Sequence, residues 1–399
     1  MRNRFLQAAM ITAVLSGAVA GCVDTPTASS ARPVAAGIAP LLAAAPGQGI
    51  RDQYIVVFRD GAADAPGIAA KLVNAHGGSV RHAYRHSLNG FAATLPASAV
   101  EAIRHNPAVA YVQQDGVVQS AATQLNAPWG LDRIDQPNLP LNGTFTYTYT
   151  GAGVRIYVVD TGLRFDHAQF GGRAVAGFDA LGGTGADCNG HGTHVAGIAG
   201  GSTYGVAKAA TLVSVRVLDC NGAGSASNVI AGVDWITAHR VKPAVAVMPL
   251  GGSANQAMDN AVANSIAAGV TYVVVAGNSN ADACGFSPAR LPAALTVGTS
   301  TATDARSSTS NYGTCVDLFA PGMNIPSAWH TSTTATNTLS GSSMAAPHVA
   351  GAAALYLQTH QTASPAAVAN SVVSMAWVGK LTGIGTGSPN RLLNSNPAP

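Results

Sequence analysis

Four side chains in this sequence could together perform acyl-transfer chemistry. Asp160 stands in Asp160-Thr161-Gly162, directly after the apolar run 154–159. A parallel sheet commonly presents functional side chains at that end of a strand. An Asp followed closely by Gly also has a plainer reading, as a turn or helix cap. His191 lies in NGHGTHVAG, residues 189–197, where a glycine on each side leaves its backbone uncrowded at a helix start. Histidine is the usual proton shuttle because its ordinary pKa lies near neutrality. A zinc reading of His191 with His194 lacks the intervening acid of the common helical zinc motif, and His194 reads as structural. Ser343 lies in GSSMAAPHVAG, residues 341–351, at the N-terminus of an apolar helix. The free N–H groups and positive dipole end of such a helix could hold an oxyanion. Ser342 and Ser343 could equally be simple caps. Asn278 ends the buried run VVVAGN, residues 273–278, and offers an amide donor to the same oxyanion, although an ordinary Asn turn would look alike. In the order Asp160, His191, Asn278, Ser343 the set supplies an orienting acid, a base, an oxyanion donor and a nucleophile. That conjunction outweighs the separate plainer readings.

The elements that must position these groups are legible as alternating apolar patterns. Strand-like runs at 154–159, 211–218, 245–250 and 270–275 alternate with helical ones at 191–199, 228–240, 257–268 and 342–358. Continuous apolar strands alternating with helices indicate a largely parallel sheet covered on both faces. Upstream, strand patterns at 54–58, 90–95, 109–112 and 116–118 and helical ones at 67–76 and 97–105 predict a small two-helix unit over about residues 52–119. The Ala, Pro, Ser and Thr rich stretch before it, residues 22–51, reads as a flexible tether.

The chain of 399 residues begins with Arg2 and Arg4, an apolar stretch 5–19 and small residues, which is the pattern of a secretory leader over 1–21. Ala18-Val19-Ala20 suits ordinary leader cleavage, whereas Val19-Ala20-Gly21-Cys22 suits a bacterial lipoprotein whose Cys22 is acylated. No other segment is apolar enough to span a bilayer. Charged residues make up only 10% and the formal charge is +3 without a basic run, which excludes an electrostatic footprint for nucleic acid. Cys188, Cys220, Cys284 and Cys315 are an even set in an exported chain and favour disulfides over metal thiolates. They allow three pairings, of which the sequential one is preferred.

Together DTG, NGHGTHVAG, VVVAGN and GSSMAAPHVAG resemble the subtilisin-like serine proteases, in which the triad follows the same chain order, Asp, then His, then Ser. The resemblance covers about residues 122–395. PWGLDRID at 128–135, IAGVDW at 230–235, SNYG at 310–313 and NRLLN at 390–394 bring it closest to the proteinase K and aqualysin branch. It implies an α/β fold of the subtilisin-like three-layer kind with a mostly parallel sheet, over 122–399, preceded by a small ferredoxin-like α+β propeptide domain over 52–121. It implies that Ser343 is the nucleophile, His191 the base and then the acid, Asp160 its orienting partner and Asn278 an oxyanion donor.

Substrate would lie extended between Gly222-Ala223-Gly224 and Leu250-Gly251-Gly252, with Ala276 and Gly277 beside the oxyanion site. Main-chain bonding of that kind favours broad specificity, and small uncharged pocket walls favour an apolar residue before the scissile bond. The propeptide would act as an intramolecular inhibitor, removed by self-cleavage after Ala121 to release a secreted endopeptidase, expected to be a monomer. The resemblance further implies calcium, held at one site by Pro292, Ala294 and Asp317 and at another by Asp132, Asp135, Gln136, Asn142 and Thr144, because hard oxygen ligands suit that ion. It also implies pairing of Cys188 with Cys220 and of Cys284 with Cys315. The sequence departs from the usual pattern at Val247 and Pro249, where Asn and Ser are customary, and at Ser342, where Thr is; Pro249 removes a backbone donor beside the substrate. A catalytically silent binding protein would retain the fold, but the full set of four groups argues against it. An esterase would need the second glycine of the nucleophile elbow, which GSSMA lacks.

Overall fold

The computed structural model describes residues 38–44, 49–61, 64–118 and 121–396. The leader and Cys22 lie outside them. The N-terminal unit consists of β1 (Leu41–Leu42), β2 (Gly49–Phe58), α1 (Ala65–His76), β3 (Ser79–Tyr84), β4 (Gly90–Thr94), α2 (Ala97–Arg104) and β5 (Val109–Gly116). Its sheet runs β1-β5-β2-β4-β3, antiparallel except for β1 on β5. Val56, Phe58, Phe91, Leu95, Val100, Ile103 and Val112 fill the space between this sheet and its two helices.

Part of the stretch read as a tether is ordered into this sheet. The Ala39 N–H bonds the Arg104 carbonyl at 2.8 Å, Arg104 Nε returns a bond to the Ala39 carbonyl at 2.7 Å, and Val112 N–H donates to Pro40 at 2.9 Å. Ala39 is fully buried. Strand pairing between residues about 70 apart leaves no local periodicity, and Ala- and Pro-rich composition concealed it. The last strand is also continuous through Gly116, where two separate runs were expected.

The larger unit opens with β6 (Ala122–Leu125), α3 (Trp129–Asp135) and β7 (Thr144–Tyr147), then β8 (Arg155–Asp160), β9 (Ala174–Asp179), α4 (His191–Gly200) and β10 (Thr211–Arg216). It continues through α5 (Ala226–His239), β11 (Ala244–Met248), β12 (Gly252–Ser253), α6 (Gln256–Ala267), β13 (Thr271–Val275) and β14 (Phe286–Ser287). The remaining elements are β15 (Leu295–Ser300), β16 (Leu318–Pro321), β17 (Ile325–Ala328), β18 (Thr336–Leu339), α7 (Ser342–Thr359), α8 (Pro365–Met375), β19 (Trp377–Val378) and β20 (Arg391–Leu392). Nine strands form one sheet in the order β19-β20-β16-β15-β13-β11-β8-β10-β9, parallel except for the β19/β20 pair.

Alternate residues of each central strand enter two different cores, as the period of two requires. Ile156, Val158, Val245, Val247 and Val273 face α4 and α7. Tyr157, Val159, Ala246, Met248, Tyr272 and Val274 face α5 and α6. Helix α7 is almost wholly buried and rich in Ala, which lets it lie close to α4 and to the sheet. Among the described residues no helix is long and apolar enough to cross a membrane.

Deleting residues 38–44 from a Ser343→Ala precursor should weaken the N-terminal unit by about 1–3 kcal/mol, the net value of a few hydrogen bonds. Hydrogen exchange at the Val112 amide is the direct readout: it should accelerate strongly, and unchanged protection would show that β1 contributes nothing.

Candidate active site

Asp160 ends β8 at the carboxyl edge of the sheet and has no exposed surface. Its Oδ1 accepts the Thr161 N–H at 2.6 Å, and its two oxygens lie 2.9 and 2.8 Å from His191 Nδ1. His191 is the first residue of α4. The contact requires α4 to approach the Asp160 loop closely: a Cβ at Gly192 would meet the Gly162 carbonyl at 2.2 Å and Asp160 Cβ at 3.2 Å. Burial opposes charging the His191 ring, yet the Asp160 carboxylate, its hydrogen bond and the charge of Asp187 together hold the imidazole above its ordinary pKa. His194, the other ring considered for a metal, lies buried with Nε2 against the Asn337 carbonyl at 3.1 Å. Burial pushes it down to about 4, so it is neutral in ordinary buffers.

Ser343 occupies the first turn of α7, preceded by Gly341 at φ 142°, a backbone conformation open chiefly to glycine. The Ser342 N–H donates to Asn278 Oδ1 at 2.8 Å. That bond fixes the amide so that Asn278 Nδ2 remains available as a donor beside the Ser343 turn. The Ser343 hydroxyl itself donates to the Pro249 carbonyl at 3.0 Å rather than to His191. Pro249 therefore lacks a donor but supplies an acceptor. Val247 is fully buried in the core, where an apolar side chain is at home, and Ser342 is buried beneath the Ser343 turn.

Asn311 belongs to the SNYG motif, and nothing in the sequence singles it out beyond that. Its Oδ1 accepts the Ser279 and Ala281 N–H groups at 2.9 and 3.1 Å, and its Nδ2 donates to the Ala276 carbonyl at 2.8 Å. One fully buried amide thus shapes the loop that carries Asn278. Its place in SNYG is the sequence signal that could have pointed to it.

Two hollows meet at Pro249, Leu250, Gly251 and Gly252. The larger, about 740 Å³, lies between this segment and Gly222-Ala223-Gly224, with His191 in its wall. Ala223 already uses its N–H and carbonyl on Asp219, and Gly252 is paired with Ser287, so open main-chain pairing falls mainly to their neighbours. The smaller hollow, about 290 Å³, runs below Ser343 and is walled by Val275, Ala276, Gly277, Asn278, Phe286 and Ala289, with no charged side chain.

The cysteines form Cys188–Cys220 and Cys284–Cys315. Of the residues expected to hold calcium, Asp132 accepts the Asn142 and Gly143 N–H groups at 3.3 and 2.7 Å, while Asn142 Oδ1 accepts the N–H of Thr144 at 2.8 Å. The Gln136 amide donates to Asn138 and Pro140 carbonyls. Asp135 Oδ1 is buried without a partner, and burial together with the nearby Asp132 pushes its carboxyl up to about 6 despite a bond from Thr146. Asp317, bonded by the Thr296 N–H at 2.8 Å, is likewise pushed up to about 6 by burial. Pro292 and Ala294 lie in the turn leading into β15.

Comparison with known proteins accords with this geometry. Residues 53–121 match the peptidase inhibitor I9 family and residues 151–394 the subtilase family. An extracellular serine proteinase of Thermus sp. (strain Rt41A) is 50% identical over 397 residues, covering 94% of this chain and 96% of that one. Alkaline serine exoprotease A of Vibrio alginolyticus is 48% identical over 364 residues, covering 87% and 68%. The crystal structure of a cold adapted subtilisin-like serine proteinase superposes with a TM-score of 0.67 at 51% identity, covering 68% of this chain and all of that one. With its buried carboxylate–imidazole pair, its serine at a helix start and an inhibitor-type unit ahead of them, the chain belongs to the subtilase family as a subtilisin-like serine endopeptidase.

Proposed function

We propose that the protein is exported as an inhibited precursor and cleaves internal peptide bonds through Ser343, His191 and Asp160. The observation that carries this reading is the contact of His191 Nδ1 with both oxygens of a fully buried Asp160. It presents Nε2 of the same ring as the base. In the reaction Ser343 Oγ leaves the Pro249 carbonyl, gives its proton to His191 Nε2 and bonds the scissile carbonyl carbon. The negative oxygen is held by Asn278 Nδ2 and the Ser343 N–H at the positive end of α7. Collapse expels the amine, which takes the proton from His191, and leaves an acyl-serine. Water then repeats the sequence, giving its proton to His191 and releasing the acid and Ser343. Asp160 stays ionised and stabilises the imidazolium.

The uncharged hollow below Ser343 supports an apolar residue before the scissile bond, and the backbone-rich cleft supports broad use of proteins and peptides. The inhibitor unit over 52–121 would be released by self-cleavage after Ala121, leaving a peptidase domain over 122–399. The leader's two readings differ by a lipid on Cys22, which the mass of the precursor's N-terminal peptide distinguishes. Purified wild-type precursor in calcium should process itself and fragment unfolded casein, while Ser343→Ala should remain full length and inactive. Equal silence from a folded, propeptide-free wild type would overturn the proposal.

Calcium fits the residues present. Asp132, Asp135, Gln136, Asn142 and Thr144 would hold one ion, and Asp317 with the Pro292 and Ala294 carbonyls another, because one Asp135 oxygen is buried without a partner and the Thr296 N–H and the Arg391 charge give the buried Asp317 carboxylate only partial compensation. The ion would supply that compensation and tie down surface loops. Without it, both carboxyls titrate near 6 in the fold against about 3.9 unfolded. Their raised values favour the fold at acid pH, and that advantage disappears as pH rises through 6. Melting of the Ser343→Ala protein with chelator should therefore fall between pH 5 and pH 8. Calcium should restore much more at pH 8, about 2.7 kcal/mol at a hundredfold excess over its dissociation constant. An equal calcium effect at both pH values, or none, would contradict these sites.

A further inference from the structure

Helix α4 carries His191 at its first position, yet its N-cap is Gly190, which has no side chain to satisfy the first-turn N–H groups. Three side chains outside the helix do so instead. Asn189 Oδ1 accepts the His191 N–H at 3.2 Å, Thr161 Oγ1 accepts the Gly192 N–H at 3.0 Å, and Asp187 Oδ2 accepts the Thr193 N–H at 2.9 Å. Asp187 connects the three. Its Oδ1 accepts the Thr161 hydroxyl at 2.9 Å and the Asn189 and Gly190 N–H groups at 2.9 and 2.8 Å, while Oδ2 also accepts the Thr193 hydroxyl at 2.5 Å. Thr161 follows Asp160 directly, so one carboxylate grips both the loop that carries the orienting acid and the turn that carries the base. The Thr193 hydroxyl extends the grip by accepting the Arg164 N–H at 3.0 Å.

We propose that Asp187 is a positioning residue of the peptidase reaction: as an external cap of α4, it locks the Asp160 loop to the His191 turn and thereby sets the imidazole on its carboxylate. The inference rests on the peptidase reading above. The carboxylate is well placed for this task because an anion at a helix N-terminus is favoured by the dipole, and charge-assisted bonds are stronger than neutral ones. Its charge also adds to that of Asp160 in favouring the protonated His191 ring. The other titratable and charged groups near the pair include His330, whose ring lies beside Gly190, and Arg164, paired with Asp166 at 2.9 Å. His194 is neutral above about pH 4, and Arg216, 3.3 Å from Cys188 Sγ, is paired with Asp179 at 3.2 Å.

Two variants separate positioning from charge. Asp187→Asn removes the charge and sets an amide donor against donors; Thr161→Val cuts the relay to Gly192 and keeps the charge. Both are assayed in calcium with a chromogenic peptide anilide across the pH range, with near-ultraviolet circular dichroism as the check of folding. Asp187→Asn should lower kcat by up to about 10²-fold, the scale of a small misplacement of reacting groups, with KM nearly unchanged, and should move the acid limb of the profile to lower pH. Thr161→Val should lower kcat while leaving the acid limb in place. A folded Asp187→Asn enzyme with wild-type kcat, or with an unmoved acid limb, would overturn the proposal. If Asp187→Asn does not fold, wild-type kcat in Thr161→Val would overturn it. A folded wild type without peptidase activity would instead remove the underlying reading, so the two failures are distinct.

Discussion

A carboxylate with no exposed surface is costly unless it is hydrogen-bonded and faces a group that can carry positive charge. Asp160 meets that condition through the Thr161 N–H and the His191 ring, and much of the architecture serves to hold those partners there. Strand β8 lies inside the sheet between β10 and β11; β11 pairs it as far as Val158, and β10 continues the pairing to Asp160, opposite Arg216. The Val217 and Leu218 N–H groups reach the Asp160 carbonyl and anchor it further. Helix α4 must then come close enough for Nδ1 to bond the carboxylate, which the missing side chain of Gly192 permits.

The half of the site that carries Ser343 is built on different principles. Helix α7 is held by burial of small side chains against the sheet and α4, so its N-terminus is a rigid platform. Asn278 is joined to that platform through the Ser342 N–H, and Asn311 shapes the loop behind Asn278. The two halves meet across Pro249. Its carbonyl accepts the Ser343 hydroxyl, so in the proposed reaction that hydroxyl would have to turn toward His191. Hydrogen bonds of this kind are often looser before substrate arrives than in the reacting complex.

Local patterns made much of this legible in the sequence. The apolar runs around 156, 246 and 273 alternate between two cores and stand out as strands, and the helices carrying His191 and Ser343 begin within a residue of expectation. Asp160, His191, Asn278 and Ser343 stand out together in the sequence because the proposed chemistry restricts residue type at such positions. Nonlocal pairing was less visible. Leu41 and Leu42 join β5 across some 70 residues, and their Ala- and Pro-rich surroundings resemble a tether. Asn311 and Asp187 act through hydrogen bonds to loops that only the fold assembles, and an isolated Asn or Asp carries no periodic signal. The cysteine count alone left three pairings; the sequential one was preferred, family resemblance strengthened that preference, and the structure contains it.

The central claim is that Ser343 is made nucleophilic by a ring held on Asp160. The most direct measurement is to treat the mature wild type and a His191→Ala variant, prepared from precursor cleaved in trans, with an arylalkyl sulfonyl fluoride and map the adduct by mass spectrometry. Wild type should gain one sulfonyl group, on Ser343, with loss of fluoride, while the variant should remain essentially unlabelled over the same time. Labelling at another residue, or equal labelling of Ser343 with and without the His191 ring, would contradict the account.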